Sequence, residues 1–381
     1  MHALVEVPAD PFRVFEALRD ALAGSGPAVL PVPDSPAAAL RRAETHRTEV
    51  VAEVPKRVVA VVETSGTTGR PKRVMLSAGA LLSSAAAAEA SLEGPGQWLL
   101  ALPAHYIAGL AVLVRSIAME TEPVALVAER FTAAGFASLT DRLEHPRKYT
   151  SLVPVQLARL LDDHDGLVAL RRYDRVLLGG QAPAPSLLER AADAGVRVTV
   201  TYGATETCGG CVWDGAPIGD TRVEIIDGLV HITGAVLAEG YLDDPAGTQD
   251  AFPEIEGMRW HRTRDRGALR DGRLTVLGRA DDTIVSGGLK VSLSTVEAVV
   301  RGMPGLDDAV VVPVERRDWG QAPAVITTGL ADESAVRATL VDALGPAATP
   351  ATVLRLDALP LLDSGKPDRV ALTALAQQRI P

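Results

Sequence analysis

The chain of 381 residues has only two cysteines, Cys208 and Cys211, so no disulfide framework holds the fold and a reducing compartment is expected. They form a C-x-x-C, but no second pair accompanies them and no strand-then-helix redox context surrounds them, which disfavours a zinc site or a redox dithiol. Basic residues are not in excess either, since the formal net charge is −10. Nucleic-acid binders carry a basic face that neutralises phosphates, so that class is disfavoured, while a small anion in a locally positive cleft remains open. The amino terminus lacks a basic stretch followed by an apolar core, so no signal peptide is read there and a cytoplasmic location is expected. A membrane span is missing as well. The most apolar run, 99–119, contains Pro103, His105 and Arg115 and reads as a buried strand and helix. No internal repeat is present.

What is there is ordinary globular composition, 47% hydrophobic and 23% charged, in a chain long enough for about two or three units. From 57 to 203, short β-branched runs alternate with amphipathic stretches, the pattern of an α/β domain with a largely parallel sheet. Strands are expected at 57–63, 175–178 and 196–201, and Leu187, Leu188 and Ala191 mark a helix over 185–194 between the last two. The alanine-rich segment 80–90 has high helix propensity. After Gly219 the texture changes to strands joined by tight turns, with Asp227-Gly228 and Asp271-Gly272 as type I′ hairpin turns. From about Ser286 a third, mixed α+β texture begins, with helices expected at 294–301, 333–344 and 367–378. The expected fold class is therefore α/β: a large amino-terminal domain of α/β sheet layers with a small β subdomain, 1–279, then a small mobile α+β domain, 280–381.

The strongest local signal is Thr64-Ser65-Gly66-Thr67-Thr68-Gly69-Arg70-Pro71-Lys72, which follows a strand and precedes the 80–92 helical run. Glycines let the backbone fold tightly around an anion, hydroxyls donate to phosphate oxygens, and Lys72 supplies charge. By chemistry this is a phosphate loop. It is not a Walker A loop, because no Gly precedes Lys72 and Arg73 follows it.

This loop resembles the signature of the adenylate-forming superfamily of acyl-CoA synthetases, adenylation domains and luciferases, and further segments match in order from Thr64 to Arg369. The resemblance implies an enzyme that uses ATP, Mg²⁺ and CoA to activate a carboxylic acid as its acyl-adenylate and pass it to a thiol. It assigns Thr64, Ser65, Gly66, Thr67, Thr68, Gly69 and Lys72 to ATP, together with Gly180, Gln181 and Ala182. In Tyr202-Gly203-Ala204-Thr205-Glu206-Thr207, Tyr202 and Gly203 line the site, Thr205 contacts the α-phosphate, and Glu206 holds Mg²⁺, a hard ion that prefers oxygen ligands. In Thr263-Arg264-Asp265-Arg266-Gly267, Asp265 accepts from the ribose hydroxyls, although Arg264 stands where the superfamily more often has Gly. Gly278-Arg279-Ala280-Asp281-Asp282 resembles the domain junction, with Arg279 at the ribose and phosphate and Asp281 as hinge. Ser364-Gly365-Lys366-Pro367-Asp368-Arg369 resembles the carboxy-terminal motif whose catalytic lysine, here Lys366, reaches the reacting carboxylate. Gly287, Gly288 and Leu289 match the turn lining the CoA tunnel, and His105 matches a position that moves between acid-site and thiol-tunnel states.

Within the superfamily, residues 105–116, 149–159 and 179–183 are most similar to the o-succinylbenzoate-CoA ligases of menaquinone biosynthesis. Such an acid has a second carboxylate to be held, which calls for a basic residue beside His105 and Gly203. Arg159 is the first candidate and Arg115 the second. Each of these residues has a plain alternative: a packed histidine, an ion-paired arginine, a solvated lysine. The competing functions are another aryl- or acyl-CoA ligase, a stand-alone adenylation enzyme loading a carrier protein, and a nucleotide sensor without turnover. The expected partners are a small carboxylic acid, ATP and CoA, with no nucleic acid and no stable membrane insertion. A homo-oligomer is left open.

Overall fold

The computed structural model describes residues 1–33, 50–64, 71–92, 94–126, 131–316, 320–362 and 365–380. Two large sheets form the amino-terminal part. The first runs in the order Gly240–Tyr241, Lys72–Ser77, Val58–Thr64, Ala28–Val32, His2–Pro8, Val50–Val54. The second runs Ala216–Pro217, Gly209–Trp213, Val198–Ala204, Arg175–Leu178, Lys148–Leu152, Gln97–Leu100, Val124–Ala125, and every pair from Val198–Ala204 onward is parallel. Strands such as Val58–Thr64 and Arg175–Leu178 are nearly continuous apolar runs because both faces of these sheets are covered.

The alanine-rich helix, Ala78–Ser91, starts where the Ser77 hydroxyl accepts from Ala80 N at 3.3 Å. Its buried face of Ala80, Leu81, Ser84, Ala85, Ala87 and Ala88 packs against the helix Ile107–Ala118. Small side chains allow close approach there, and Ser84 donates to Cys208 O at 3.1 Å. That bond ties the helix to the turn that bears Thr205 and Glu206. Cys208 and Cys211 are both buried free thiols, and burial pushes the Cys211 thiol up to about 11, so neither is a reactive thiolate at neutral pH.

A four-stranded antiparallel sheet follows, Arg222–Ile226, Leu229–Thr233, His261–Arg270 and Arg273–Arg279. Its two outer turns have positive φ at both central residues, 52° and 76° at Asp227 and Gly228, 50° and 72° at Asp271 and Gly272, as type I′ turns require. The carboxy-terminal part begins with Thr283–Ser286. Its sheet joins Leu289–Ser292, Thr283–Ser286, Gly320–Thr327 and Val310–Arg316, with Thr352–Arg355 parallel to Gly320–Thr327, and the helices Leu293–Arg301, Glu333–Leu344 and Arg369–Gln377 pack on it. The fold is the expected one, a large α/β part with a small β subdomain followed by a small α+β part.

One expectation is corrected. The largely parallel pattern expected over 57–203 is broken near its start, where the strand Lys72–Ser77 follows the phosphate-loop segment and pairs antiparallel with Val58–Thr64. Val58–Thr64 and Lys72–Ser77 thus lie antiparallel in the first sheet, and the parallel arrangement holds for 97–204. Lys72 and Arg73 disguised the strand. Arg73 is a cross-strand partner of Glu63, with Nε donating to Oε1 at 2.9 Å, so its charge is satisfied on the sheet surface.

Candidate active site

The antiparallel pair brings Thr64 and Lys72 directly opposite each other. The expectations for Ser65, Gly66, Thr67, Thr68 and Gly69 lie outside the described residues. Lys72 Nζ sits 4.5 Å from the centroid of the Tyr241 ring, and the Tyr241 hydroxyl donates to Glu206 Oε1 at 2.8 Å. Burial, reinforced by the Glu206 charge, raises the Tyr241 pKa well above the ordinary tyrosine value, so the phenol stays a donor.

Glu206 is aimed by a tight turn. Gly203 approaches Gly209 so closely that an added Cβ would sit 2.0 Å from Gly209 O, so no other residue fits. The chain then makes a 3-10 turn over Thr205–Thr207, closed by the Thr207 hydroxyl, which accepts from Ala204 N at 2.9 Å and donates to Gly209 O at 2.9 Å. Thr205 is buried beside it.

Asp265 faces Arg279 across the strand pair, with Arg279 Nη1 3.8 Å from Asp265 Oδ1. Tyr202, entering from the large parallel sheet, donates its hydroxyl to Asp265 Oδ2 at 2.7 Å. His261 is buried and feels the negative charges of Glu206 and Asp265. Burial lowers the His261 pKa and those charges partly offset it, leaving a neutral imidazole at pH 7.

At the junction, Arg279 grips Asp281 with two hydrogen bonds, 2.8 Å from Nε and 2.9 Å from Nη2, and Arg264 Nη1 adds a third at 3.4 Å. The Arg279 hydrogen bonds hold the Asp281 carboxyl below its usual range. Lys366 passes over Gly180, where an added Cβ would lie 3.2 Å from Lys366 Cε, and one on Gly365 would lie 2.9 Å from Val153. The residue keeps contact with solvent, yet the protein packed around its side chain, aided by the Arg279 charge, lowers its pKa below the ordinary lysine value.

Three groups of contacts result: Lys72 and Glu206 meet at Tyr241, Asp265 faces Arg279, and Lys366 lies against Gly180. Gln181 and Ala182 continue the loop from Gly180. The turn at Gly287, Gly288 and Leu289 is different. Both glycines have positive φ, 55° and 82°, Leu289 is exposed, and a Cβ on Gly288 would meet nothing within 4 Å.

Of the residues expected on the acid side, His105 lies with its ring centroid 4.1 Å from that of Tyr106, the rings tilted by 45°, in a turn that folds back on its own helix because Gly109 leaves room. A Cβ there would sit 2.2 Å from Pro103 O. Arg159 is exposed on the helix Pro154–Leu161 and donates to Phe131 O at 2.8 Å. Arg115 packs into the core, 4% exposed, with its guanidinium 5.1 Å from the Trp98 centroid, and burial lowers its pKa to about 10.

The AMP-binding enzyme family model matches residues 13–241, and the model of the AMP-binding enzyme C-terminal domain matches 295–366. The chain belongs to the AMP-binding enzyme family. Among relatives of this AMP-binding enzyme, a protein of Mycobacterium tuberculosis named "Probable 2-succinylbenzoate-CoA ligase" is 42% identical over 370 residues, covering 93% of each chain. The 2-succinylbenzoate-CoA ligase of Salmonella typhimurium is 34% identical over 72% of this chain and 59% of its own length. A variant of E. coli MenE with bound OSB-AMS superimposes with a TM-score of 0.77 at 25% identity, covering 99% of this chain and 88% of that one. The ATP-bound MatB of Rhodopseudomonas palustris shares the two-domain fold, with a TM-score of 0.81 at 20% identity, covering 99% of this chain and 89% of that one.

Two residues of the AMP-binding enzyme's cleft were not singled out from sequence. Tyr241 holds Glu206 from 35 positions away, and its only local trace is the Gly240-Tyr241 pair shortly before the helix Pro245–Ala251. Arg301 reaches the 180–182 loop from 119 positions away and has no local signature. No described helix is long and apolar enough to cross a membrane.

Proposed function

We propose that this AMP-binding enzyme is an acid-CoA ligase that adenylates o-succinylbenzoate with ATP and transfers the acyl group to CoA, as its relatives' names suggest. The observation that supports the site assignment is that Lys366, from near the end of the chain, lies against Gly180, while Arg279 and Asp265 face each other at 3.8 Å across neighbouring strands. A nucleotide sensor has no use for a lysine brought to that position from the far end of the chain.

In the first half-reaction, a carboxylate oxygen of the acid attacks the α-phosphorus and pyrophosphate leaves. This needs the acid and ATP held in line, which is mostly a positioning task. Asp265, braced by Tyr202, offers acceptor oxygens to the ribose hydroxyls. Gly180, Gln181 and Ala182 line the adenine side, Arg279 and Lys72 supply charge for the phosphates, and Thr205 stands at the α-phosphate. Lys366 donates to the oxygens on which charge builds.

Glu206 suits Mg²⁺, since that ion is commonly held by one or two carboxylates plus substrate phosphates, and the described residues contain no larger cluster of His, Cys, Asp and Glu to compete for it. Bound there, the ion supplies neutralisation of phosphate charge. Tyr241 fixes the orientation of that carboxylate.

In the second half-reaction the CoA sulfur attacks the acyl carbon and AMP leaves. We place the division between the parts at 279/280 with Asp281 as the hinge, so that rotation withdraws Lys366 and brings Gly287, Gly288 and Leu289 to the thiol path. His105 lies on the acid side of that path.

Asp265→Ala raises the KM for ATP by about tenfold or more, because hydrogen bonds to a charged acceptor contribute about 1.5–3 kcal/mol. Steady-state pyrophosphate release at varied ATP checks it, and an unchanged KM would remove Asp265 from the ribose. The function itself is tested by mass detection of the CoA ester formed from o-succinylbenzoate, ATP, Mg²⁺ and CoA. Adenylate without CoA ester would point instead to carrier-protein loading, and bound ATP with no pyrophosphate would leave only a sensor.

A further inference from the structure

Among the described residues, the carboxy-terminal part touches the segment 179–186, a loop that leads into the helix Pro185–Asp193, through the following contacts. Lys366 lies against Gly180, Arg301 Nη1 donates to Ala182 O at 3.2 Å, and the Ser186 hydroxyl donates to Asp307. Arg301, Ser186 and Asp307 have no part in the functional reading.

Arg301 ends the helix Leu293–Arg301 and is 8% exposed. Its guanidinium is fixed from behind. Nε donates to Ala309 O at 2.7 Å and Nη2 pairs with Glu297 Oε1 at 2.9 Å. Glu297, 7% exposed, takes Arg369 Nη2 and Val311 N on its other oxygen at 2.7 and 2.9 Å. Arg369 Nη1 in turn donates to Val311 O at 2.6 Å. A buried arginine whose Nε and Nη2 are both engaged within the carboxy-terminal part presents Nη1 in one direction, so the bond to Ala182 O is pre-organised. Arg369 follows Lys366 by three residues, so the same network anchors the segment that carries the lysine.

We infer that Arg301 is a positioning residue for adenylate formation, coupling the docking of the carboxy-terminal part to the placement of the 179–186 loop, with Asp307 and Ser186 as a second tie. This rests on the proposed ligase reading. Both ties cross between parts that must separate when Lys366 withdraws, so they stabilise the lysine-in state and are absent from a rotated one. Their removal shifts the balance away from the state that makes the adenylate. It leaves the thiol step, which runs after rotation, untouched.

The test uses the full chain with Arg301→Met, which keeps the aliphatic stem and removes every donor, and Asp307→Ala, an exposed change that spares the core. Three quantities are read: ATP affinity by titration calorimetry, pyrophosphate release with o-succinylbenzoate, and CoA-ester formation from supplied acyl-adenylate. R301M is expected to weaken ATP binding and slow adenylation by roughly tenfold, the effect of one charge-assisted hydrogen bond, and D307A by about threefold, with the thiol step unchanged in both. Equal losses in both half-reactions, or unchanged ATP affinity and adenylation in a folded variant, would overturn the inference. If R301M does not fold, D307A decides by the same criteria. Wild type run alongside separates the two ideas. An inactive wild type sinks the ligase reading while ATP titration still judges Arg301; an active wild type with non-selective variants sinks only the role of Arg301.

Discussion

Lys366→Ala is expected to lower pyrophosphate release from o-succinylbenzoate and ATP by about 10²- to 10³-fold, the usual loss on removing one preorganised donor to developing negative charge. CoA-ester formation from supplied acyl-adenylate should change little, because the lysine has left the cleft by then. A variant that lost both half-reactions equally would show that Lys366 holds the structure together and does not act on the reacting oxygens. The position over Gly180 supports the selective outcome, since the ammonium is carried to the cleft by the carboxy-terminal part. A pH consequence follows. The protein packed around the exposed Lys366 side chain and the Arg279 charge lower its pKa, so its charge is lost at a lower pH than that of a free lysine. The lysine must be charged to donate to developing oxyanions. Adenylation therefore falls as pH rises through a value below the ordinary lysine pKa, and this basic limb should be absent from the residual activity of K366A.

Arg159→Leu is expected to raise the KM for o-succinylbenzoate by about 10- to 100-fold, because a guanidinium paired with a carboxylate contributes about 1.5–3 kcal/mol. An aryl acid with a single carboxylate should bind the variant as it binds wild type. Val155 and Arg159 are four residues apart on one helix and share a face, and Val155 looks towards Gly365, 3.9 Å from a Cβ placed there. Arg159 follows Val155 on that face by about one helical turn, a rise of ~6 Å. That separation suits an acid whose activated carboxylate sits by the lysine while its other carboxylate is held further along. Parallel measurements on the dicarboxylate and the monocarboxylate decide it, and an equal effect on both would free Arg159 of the role. Arg115, stacked over Trp98 in the core, has no comparable position.

Much of this was legible in the chain itself. Alternating apolar strands and amphipathic helices over 97–204 fix a parallel sheet, because side-chain periodicity is a local property of the backbone. Asp227-Gly228 and Asp271-Gly272 fix two hairpins, because few other pairs tolerate positive φ at both central positions. Candidate site residues could be proposed because each motif carries its own chemistry within a few positions. The tertiary structure decided the rest. Whether Lys72–Ser77 is a strand depended on Glu63 answering Arg73 across an antiparallel pair, whether Glu206 is held depended on Tyr241 arriving from another sheet, and whether Arg301 matters depended on two domains docking. Those are pairings between distant segments, and a charge or a hydroxyl carries no local mark of the partner it will meet. Only sheet register and domain docking choose that partner.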